Sequence, residues 1–233
     1  MIPKKIHYCW FGNNKKSKLI KRCIASWKKY FPSFEIIEWN ESNTDLEENE
    51  YIKKAYKSKM WAYVSDYVHM KVLYQYGGIY FDTDVEVIKK FPQQLLDLNA
   101  FSGIEACSLK VSPGLVFGCK PKNKIVKEMI ESYRQDVFEK KSIEKMKTIN
   151  IRITEILLKY GFVEKDEKQE IAGLVIFPSS VFCGYNSMER RIEAKEDTLS
   201  VHHYAHSWFP WYRNIRVILG TVKRRLILVA KNR

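Results

Sequence analysis

The sequence predicts an α/β domain with a largely parallel central sheet. Segments rich in β-branched and aromatic residues alternate with segments whose apolar residues recur at helical spacing. Such alternation is typical of a sheet with helices packed against it. The chain has 233 residues, of which 45% are hydrophobic and 29% charged, so it can bury a core and is not expected to be disordered.

In the first half of the chain, a predicted helix leads directly into a predicted strand that carries acidic residues. Residues 59–76 have helical periodicity, and Gly77 is a suitable residue at which to end that helix. Residues 79–88 follow directly and are rich in β-branched and aromatic residues, which predicts a strand. Upstream, strands are predicted over residues 5–11 and 34–39, and a helix over residues 19–27.

The second half of the chain continues the alternation. Helices are predicted over residues 121–138 and 148–160, and short strands over residues 174–177 and 199–204. No clear linker precedes residue 208. We therefore expect one domain over residues 1–208, followed by a separate segment over residues 209–233.

Positive charge is concentrated at the end of the chain. The 40 Lys and Arg residues outnumber the 27 Asp and Glu residues, giving a formal net charge of +13, which favours anionic partners. Residues 213–233 contain seven basic residues, no acidic residue and several apolar ones. At helical spacing this composition predicts a basic amphipathic surface that docks on an anionic membrane. A helix packed on the domain with its cations in water would have the same pattern.

The cysteines and the apolar segments indicate where in the cell the protein is expected. The five cysteines are scattered and form no C-x-x-C pair, which argues against a disulfide scaffold or a zinc ribbon and favours a reducing compartment. No apolar run reaches the roughly 18 residues that a membrane span needs, and the N-terminus lacks the apolar stretch of a signal peptide. We expect a cytoplasmic protein that also binds the inner face of the cell membrane.

The predicted strand over residues 79–88 places several carboxylates on one face. In an extended chain side chains alternate, so Asp82, Asp84 and Glu86 point the same way, opposite to the apolar residues between them. Neighbouring carboxylates repel each other unless a cation lies between them. A hard divalent ion such as Mg²⁺ or Mn²⁺ would leave coordination positions for substrate phosphates.

The helix before this strand adds polar residues to the same region. Asp66 and His69 are three residues apart and therefore share a helix face. Gly77 and Gly78 connect the helix directly to the acidic strand. An Asp-x-Asp sequence or a Gly-Gly pair is common by itself, but the combination of these features is much more specific.

Three blocks of residues together carry a family resemblance. The central block comprises Ser65-Asp66, Leu73-Tyr74, Gly77-Gly78-Ile79-Tyr80 and Asp82-Thr83-Asp84; the outer blocks are residues 2–12 and His202-His203-Tyr204 with Ser207-Trp208. They resemble the sugar-binding Asp-x-Asp region of glycosyltransferase family 32, which includes bacterial capsular polysaccharide transferases and yeast mannosyltransferases and is related to clostridial glucosylating toxins. The resemblance implies a GT-A, Rossmann-like fold and transfer with retention of anomeric configuration.

The resemblance also implies roles for individual residues. The residues expected to act in catalysis are Asp66, Asp82 and Asp84. The residues expected to bind the nucleotide-sugar are Trp10, Phe11, Gly12, Tyr63, Asp66, His69, Gly78, Tyr80, Asp82 and Trp208. The residues expected to hold Mn²⁺ or Mg²⁺ are Asp82, Asp84, His203 and Ser207. Trp10 would stack on the base of the donor, although a tryptophan at a strand end is often an ordinary core residue.

The histidines of the predicted site raise two questions, namely which of them binds the metal and what replaces a family arginine. If residues 199–204 form a strand, His202 and His203 face opposite ways, so one of them reaches the metal, and we expect it to be His203. A position that is usually Arg in the family is His69 here. Because His lacks the fixed donor fork and permanent charge of Arg, the donor sugar or the activity is expected to differ.

The predicted function is metal-dependent retaining transfer of a sugar from a UDP- or GDP-linked donor to a hydroxyl of a glycan or lipid-linked acceptor, in surface polysaccharide synthesis. One alternative is an inactive or hydrolytic relative that binds nucleotide-sugars. A basic nucleic-acid-binding module is less favoured, because no helix-turn-helix, zinc or RNA-stacking signature is present. We therefore expect no nucleic-acid partner.

Overall fold

The structure, a computed structural model, describes residues 1–139, 146–186 and 191–205. The helices are α1 (Lys18–Tyr30), α2 (Glu50–Lys57), α3 (Trp61–Tyr76), α4 (Gln93–Asp97), α5 (Lys124–Arg134), α6 (Ile149–Leu158) and α7 (Ser179–Phe182). The strands are β1 (Lys5–Cys9), β2 (Glu35–Trp39), β3 (Gly78–Tyr80), β4 (Val85–Val87), β5 (Ala100–Gly103), β6 (Phe117–Cys119), β7 (Gln169–Ile171), β8 (Leu174–Phe177), β9 (Tyr185–Asn186), β10 (Arg191–Ile192) and β11 (Ser200–His202).

The central sheet has seven strands in the order β2-β1-β3-β6-β5-β8-β7. Strands β2, β1, β3, β5 and β8 run in one direction, whereas β6 and β7 run in the opposite direction. The predicted α/β class with a mostly parallel sheet is thereby confirmed. The strands β9 with β10, and β4 with β11, form two separate antiparallel pairs.

Helices cover both faces of the central sheet. Helices α2, α3, α5 and α6 pack with one core cluster, and α1 and α4 pack with the other. Helix α1 shows how the sequence determines this packing: Ser17 caps its first turn, and Ile20, Cys23 and Trp27 recur at the spacing of one buried face. The indole N–H of Trp27 donates to the backbone oxygen of Val85 at 2.8 Å, which attaches α1 to β4.

Two glycines allow α3 to lead directly into the centre of the sheet. Gly77 ends the helix at φ 61°, and Gly78 follows at φ 101°. Both values lie in the left-handed region that glycine favours. A Cβ atom at Gly78 would lie 2.7 Å from the backbone oxygen of Lys5, so β3 approaches β1 more closely there than a larger residue would allow.

The prediction of one continuous strand over residues 79–88 is wrong. Strand β3 ends at Tyr80, and β4 begins at Val85 after a turn closed by a 3.0 Å hydrogen bond from the Val85 N–H to the Asp82 oxygen. The Asp82 N–H donates to the oxygen of Gly114, which holds the turn against a distant loop. As a result, β4 pairs with β11 and not with the central sheet.

Some of the predicted site residues and the predicted C-terminal segment lie beyond the part of the chain that the structure describes. Ser207, Trp208 and the segment 209–233 lie outside the described residues. Within the described parts of the chain, the helices lack the combination of length and apolar character that crossing a membrane requires.

Candidate functional site

A cleft opens at the carboxyl ends of β1 and β3, where ligands bind in open α/β sheets. Trp10 follows β1, and Asp82 and Asp84 follow β3. Asp66 from α3 and His202 from the end of β11 also line the cleft. The fold therefore brings residues from four distant stretches of sequence to one place.

Asp82, Asp84 and His202 form a compact group of potential metal ligands. One ligand atom from each lies within 4.8 Å of the other two. The His202 Nε2 atom is 3.1 Å from Asp84 Oδ1 and 3.9 Å from Asp82 Oδ2. The Asp84 and His202 side chains are each 13% exposed, whereas the Asp82 side chain is 43% exposed and therefore more open to a ligand.

The electrostatics of this group differ between its members. Burial and the charge of Asp84 raise the pKa of Asp82 to about 6. Burial would also raise the pKa of Asp84, but the charge and hydrogen bond of His202, with the N–H of Ala205, hold that pKa well below its ordinary value. Burial lowers the pKa of His202, yet the two aspartates outweigh it and raise that pKa to about 8. The group thus contains two carboxylates and a histidine whose potential ligand atoms lie within 4.8 Å of one another.

These residues fit a divalent cation. Carboxylate oxygens suit Mg²⁺ and Mn²⁺, and an imidazole nitrogen is better tolerated by Mn²⁺ than by Mg²⁺. The other ring nitrogen of His202, Nδ1, is buried and has no hydrogen-bond partner. The His202 ring packs edge-on against Tyr204 at a centroid distance of 4.2 Å, which fixes its orientation.

The structure places His202, and not the expected His203, beside the aspartates. The antiparallel pairing of β11 with β4 sets His202 opposite Val85, so its side chain reaches the turn between β3 and β4. The side chain of the next residue points the other way. His203 Nε2 lies 2.8 Å from Glu86 Oε2 and 3.4 Å from a guanidinium nitrogen of Arg22.

His69 does not line the cleft, in contrast to the expectation that it shares with Asp66 a helix face directed into the cleft. It is 2% exposed, and its ring stacks on Tyr80 with centroids 3.4 Å apart and an interplanar angle of 15°. Burial is the main cause that lowers the pKa of His69 well below its ordinary value, which favours the neutral ring. The Tyr80 hydroxyl donates to Asp82 Oδ1 at 3.1 Å, which links His69 to the site through one residue.

Asp66 lines the cleft close to the acidic pair. Burial and the charge of Asp82 raise the pKa of Asp66 well above its ordinary value, while the charge of Arg152 and the backbone N–H of Ile149 act in the opposite direction. Its position fits contact with a bound sugar. Tyr63, three residues earlier, is 3% exposed and packs against Phe138 in the core.

The segment after β1 forms a wall of the cleft. Trp10 is half-buried, and its indole N–H donates to the backbone oxygen of Asn14 at 2.7 Å. Phe11 also lines the cleft but is only 4% exposed. Gly12 adopts φ 90°, and its N–H donates to Glu41. Of these residues, Trp10 presents an aromatic surface that a base could contact.

Gly114 and Gly78 have roles that the sequence pattern did not assign. A Cβ atom at Gly114 would lie 2.2 Å from Asp82 Oδ2, so this glycine leaves room for the carboxylate. The sequence Ser112-Pro113-Gly114 is typical of a turn, but it does not show that this turn lies next to Asp82. Gly78, expected to bind substrate, is buried in the central sheet against β1 and allows the close approach of the two strands.

Comparisons with known proteins bear on the family and the fold of this chain. Residues 17–102 match the family described as a glycosyltransferase sugar-binding region containing a DXD motif, and this range includes Asp66, Asp82 and Asp84. The predicted family resemblance is confirmed by this match. A search of curated proteins finds no significant match.

Two solved structures are similar to this chain. The structure titled PaToxG glycosyltransferase has 18% sequence identity and a TM-score of 0.50, covering 68% of each chain. A glycosyltransferase involved in the glycosylation of the major capsid of PBCV-1 has 16% identity and a TM-score of 0.48, covering 87% of this chain and 94% of the other. At this level of identity the first likeness supports the fold alone.

Proposed function

We propose that this protein is a metal-dependent retaining glycosyltransferase, because residues 17–102 match a glycosyltransferase sugar-binding region that contains a DXD motif. It moves a sugar from a UDP- or GDP-linked donor to a hydroxyl of a glycan or lipid-linked acceptor in the synthesis of a bacterial surface polysaccharide. The observation that carries the proposal is the group of Asp82, Asp84 and His202 within 4.8 Å of one another in the cleft.

The acidic group holds Mn²⁺ or Mg²⁺ in this proposal. When bound, such an ion supplies Lewis acidity and positive charge to a departing diphosphate. Asp84 is the firmest ligand, because its pKa is held low and it stays ionised. Asp82 is the more exposed carboxylate and also contacts the ribose side of the donor.

The remaining residues of the cleft position the donor. Trp10 offers a half-exposed indole whose orientation is fixed by the hydrogen bond to Asn14, which suits stacking on a base. Asp66 accepts hydrogen bonds from sugar hydroxyls. In the proposed front-face reaction, the acceptor hydroxyl attacks from the side that the leaving group vacates, which retains the anomeric configuration. The main contribution to catalysis is electrostatic stabilisation of the leaving group.

A donor screen followed by a transfer assay tests the proposal. We expect one UDP- or GDP-sugar to raise the melting temperature only when Mn²⁺ is present, because a ligand bound to the folded state stabilises it. Incubation of that donor with an acceptor glycan should yield an extended product of retained configuration by mass spectrometry and NMR. Asp84→Asn should reduce both effects strongly, whereas Asp97→Asn, on the exposed end of α4, should not.

The same assays distinguish the alternatives. Release of free sugar without an extended product would identify a hydrolytic relative, and donor binding without turnover would identify an inactive one. A protein that retards nucleic acid in a low-salt gel and binds no donor would contradict the proposal.

We also propose that the basic segment over residues 209–233 docks on the inner face of the cell membrane, where lipid-linked acceptors are found. Its support is the sequence, in which seven basic residues and no acidic one alternate with apolar residues over positions 213–233. Replacement of Lys223, Arg224 and Arg225 by Gln should reduce flotation with anionic vesicles. Unchanged flotation would contradict this part of the proposal.

A further inference from the structure

One face of α1 consists of cations that the cleft does not use. Lys18, Lys21, Arg22, Lys28 and Lys29 are all exposed. At about 100° per residue these five positions fall within an arc of roughly 120°, and they span about 16 Å along the helix axis. We name this surface the α1 basic face.

The charge of the α1 basic face is largely uncompensated. Residues 15–29 include seven basic residues and no acidic residue. Arg22 pairs with Glu86 at 3.0 Å, but the four lysines of the face have no ion-pair partner among the residues that the structure describes. The opposite side of α1 is buried through Ile20, Cys23 and Trp27, so the cations are presented by a helix that is firmly held on the sheet.

The location of this face connects it to two other features. Helix α1 follows the loop that carries Trp10, and the Lys16 Nζ atom lies 5.3 Å from the centre of a Trp10 ring, so the helix begins at the edge of the cleft. Farther along, Arg22 lies 3.4 Å from His203. The chain enters its basic C-terminal segment six residues after His203. The face therefore lies beside the cleft and close to the last described residues of the chain.

We propose that the α1 basic face adsorbs to an anionic lipid surface, with the helix axis lying along that surface. A row of cations on a convex helix can contact a flat anionic surface over its full length, whereas a flexible soluble polyanion is better held by a groove. The apolar side chains of α1 point into the core, so this contact is electrostatic and sensitive to salt. The inference extends the membrane docking proposed above, but it rests neither on sugar transfer nor on the C-terminal segment.

Binding to vesicles tests this inference with the full-length protein. The test variant carries Lys18→Gln, Lys21→Gln, Lys28→Gln and Lys29→Gln. A matched control carries Lys57→Gln, Lys124→Gln, Lys127→Gln and Lys159→Gln, which removes the same charge from α2, α5 and the end of α6, on the other face of the sheet. Circular dichroism and thermal unfolding establish that both variants are folded.

With vesicles of phosphatidylglycerol and phosphatidylcholine, we expect the test variant to bind at least about 10-fold more weakly than the wild type at low salt. The control variant should lose less than about 3-fold, and vesicles of phosphatidylcholine alone should bind none of the proteins strongly. Equal losses in the two variants would mean that net charge alone matters and would overturn the proposal. Wild-type binding by the test variant would overturn it as well.

Two further experiments distinguish this proposal from docking by the C-terminal segment and from binding of a soluble polyanion. A loss confined to a variant with Lys223, Arg224 and Arg225 replaced by Gln would assign docking to the C-terminal segment and overturn the role of α1. A test variant that loses affinity for a soluble acidic polysaccharide but not for vesicles would assign the face to a different partner. The double variant Lys18→Gln/Lys21→Gln, which spares the last turn of α1, should also weaken vesicle binding while it unfolds at the same temperature as the wild type. Wild-type binding by this variant would overturn the proposal.

Discussion

The Nε2 atom of His202 lies 3.1 Å from Oδ1 of Asp84, which joins the end of β11 to the turn after β3. The two residues are more than a hundred positions apart in the sequence, and the pairing of β4 with β11 brings them together. The register of β11 on β4 therefore determines that His202, and not His203, lies beside the aspartates.

Replacement of the two adjacent histidines should have unequal effects. We expect His202→Ala to weaken Mn²⁺ binding at least about 10-fold, because it removes one of three candidate ligands. His203→Ala should change Mn²⁺ affinity less than about 3-fold, because its ring contacts Glu86 and Arg22. Isothermal titration calorimetry with Mn²⁺ measures both. The reverse order of effects would restore His203 as the metal-binding residue.

Asp84 should be the most sensitive position of the site. Asp84→Asn removes the charge but keeps an oxygen that can accept the 2.8 Å hydrogen bond from the Ala205 N–H, so we expect the fold to persist. The kcat of metal-dependent transfer should fall by about 10²–10³-fold or more, since stabilisation of the leaving group is lost. Steady-state kinetics with the identified donor tests this. Activity within 3-fold of the wild type would contradict the metal assignment.

Local patterns were sufficient to predict some elements and insufficient for others. Helix α1 was predictable because Ile20, Cys23 and Trp27 repeat at the spacing of a buried helix face. The break between β3 and β4 was not, because the Asp82 turn is held by the oxygen of Gly114, thirty-two residues away. Alternation along a chain carries no information about such a distant partner.

The same limit explains the errors in the candidate site. The two aspartates, Asp66 and Trp10 all line the cleft. The predicted strand and the predicted helix indicated the aspartates, and the family resemblance indicated Trp10. The choice between His202 and His203 required the register of β11 on β4, which the sequence alone does not determine. The burial of His69 depends on Tyr80, a residue of the next element, which packs flat against it.

Addition of a single methyl group at Gly114 should disturb the site without unfolding the protein. The new Cβ would lie 2.2 Å from Asp82 Oδ2, the mobile end of a side chain, so the carboxylate can rotate away at modest cost. We expect Gly114→Ala to weaken Mn²⁺ binding about 10-fold or more, because a ligand loses its orientation. Calorimetry measures the affinity, and thermal unfolding measures the stability.

Gly118→Ala is the matched comparison for that substitution. Its Cβ would meet the Phe101 ring at 2.2 Å in the core, so stability and not metal affinity should fall. If both variants lose stability equally and Mn²⁺ affinity is unchanged in Gly114→Ala, the carboxylate does not depend on this glycine.

Substitutions at His69 should reveal a packing role. Its Nε2 atom is buried and has no hydrogen-bond partner, so His69→Phe should preserve the stack on Tyr80 and leave stability within about 1 kcal/mol of the wild type or above it. His69→Arg should cost about 3 kcal/mol or more, because it buries an unpaired charge. Urea unfolding measures both. A stable Arg variant with tighter donor binding would show that this position reaches the cleft.

The free energy of unfolding should decrease in mild acid, because His7 is buried in its neutral form. The ring is fully buried; its Nδ1 accepts from the Trp39 indole at 3.1 Å, and its Nε2 donates to the Gly77 oxygen at 2.9 Å, so the neutral tautomer is fixed by both partners. Burial is the largest influence and lowers the pKa of His7 from 6.5 to about 4. Below pH 6.5 the unfolded chain therefore binds a proton that the folded protein excludes.

The contribution of His7 should be constant above pH 6.5 and decline as the pH falls from 6.5 to 4, by about 1.4 kcal/mol per pH unit and by about 3 kcal/mol in all. Because other groups also titrate in this range, the informative quantity is the difference between the wild type and His7→Gln. In that variant a neutral amide replaces the ring, so the difference in unfolding free energy should shrink from pH 7 to pH 5. A difference that is independent of pH over this range would mean that His7 is protonated to the same extent in the folded and unfolded states.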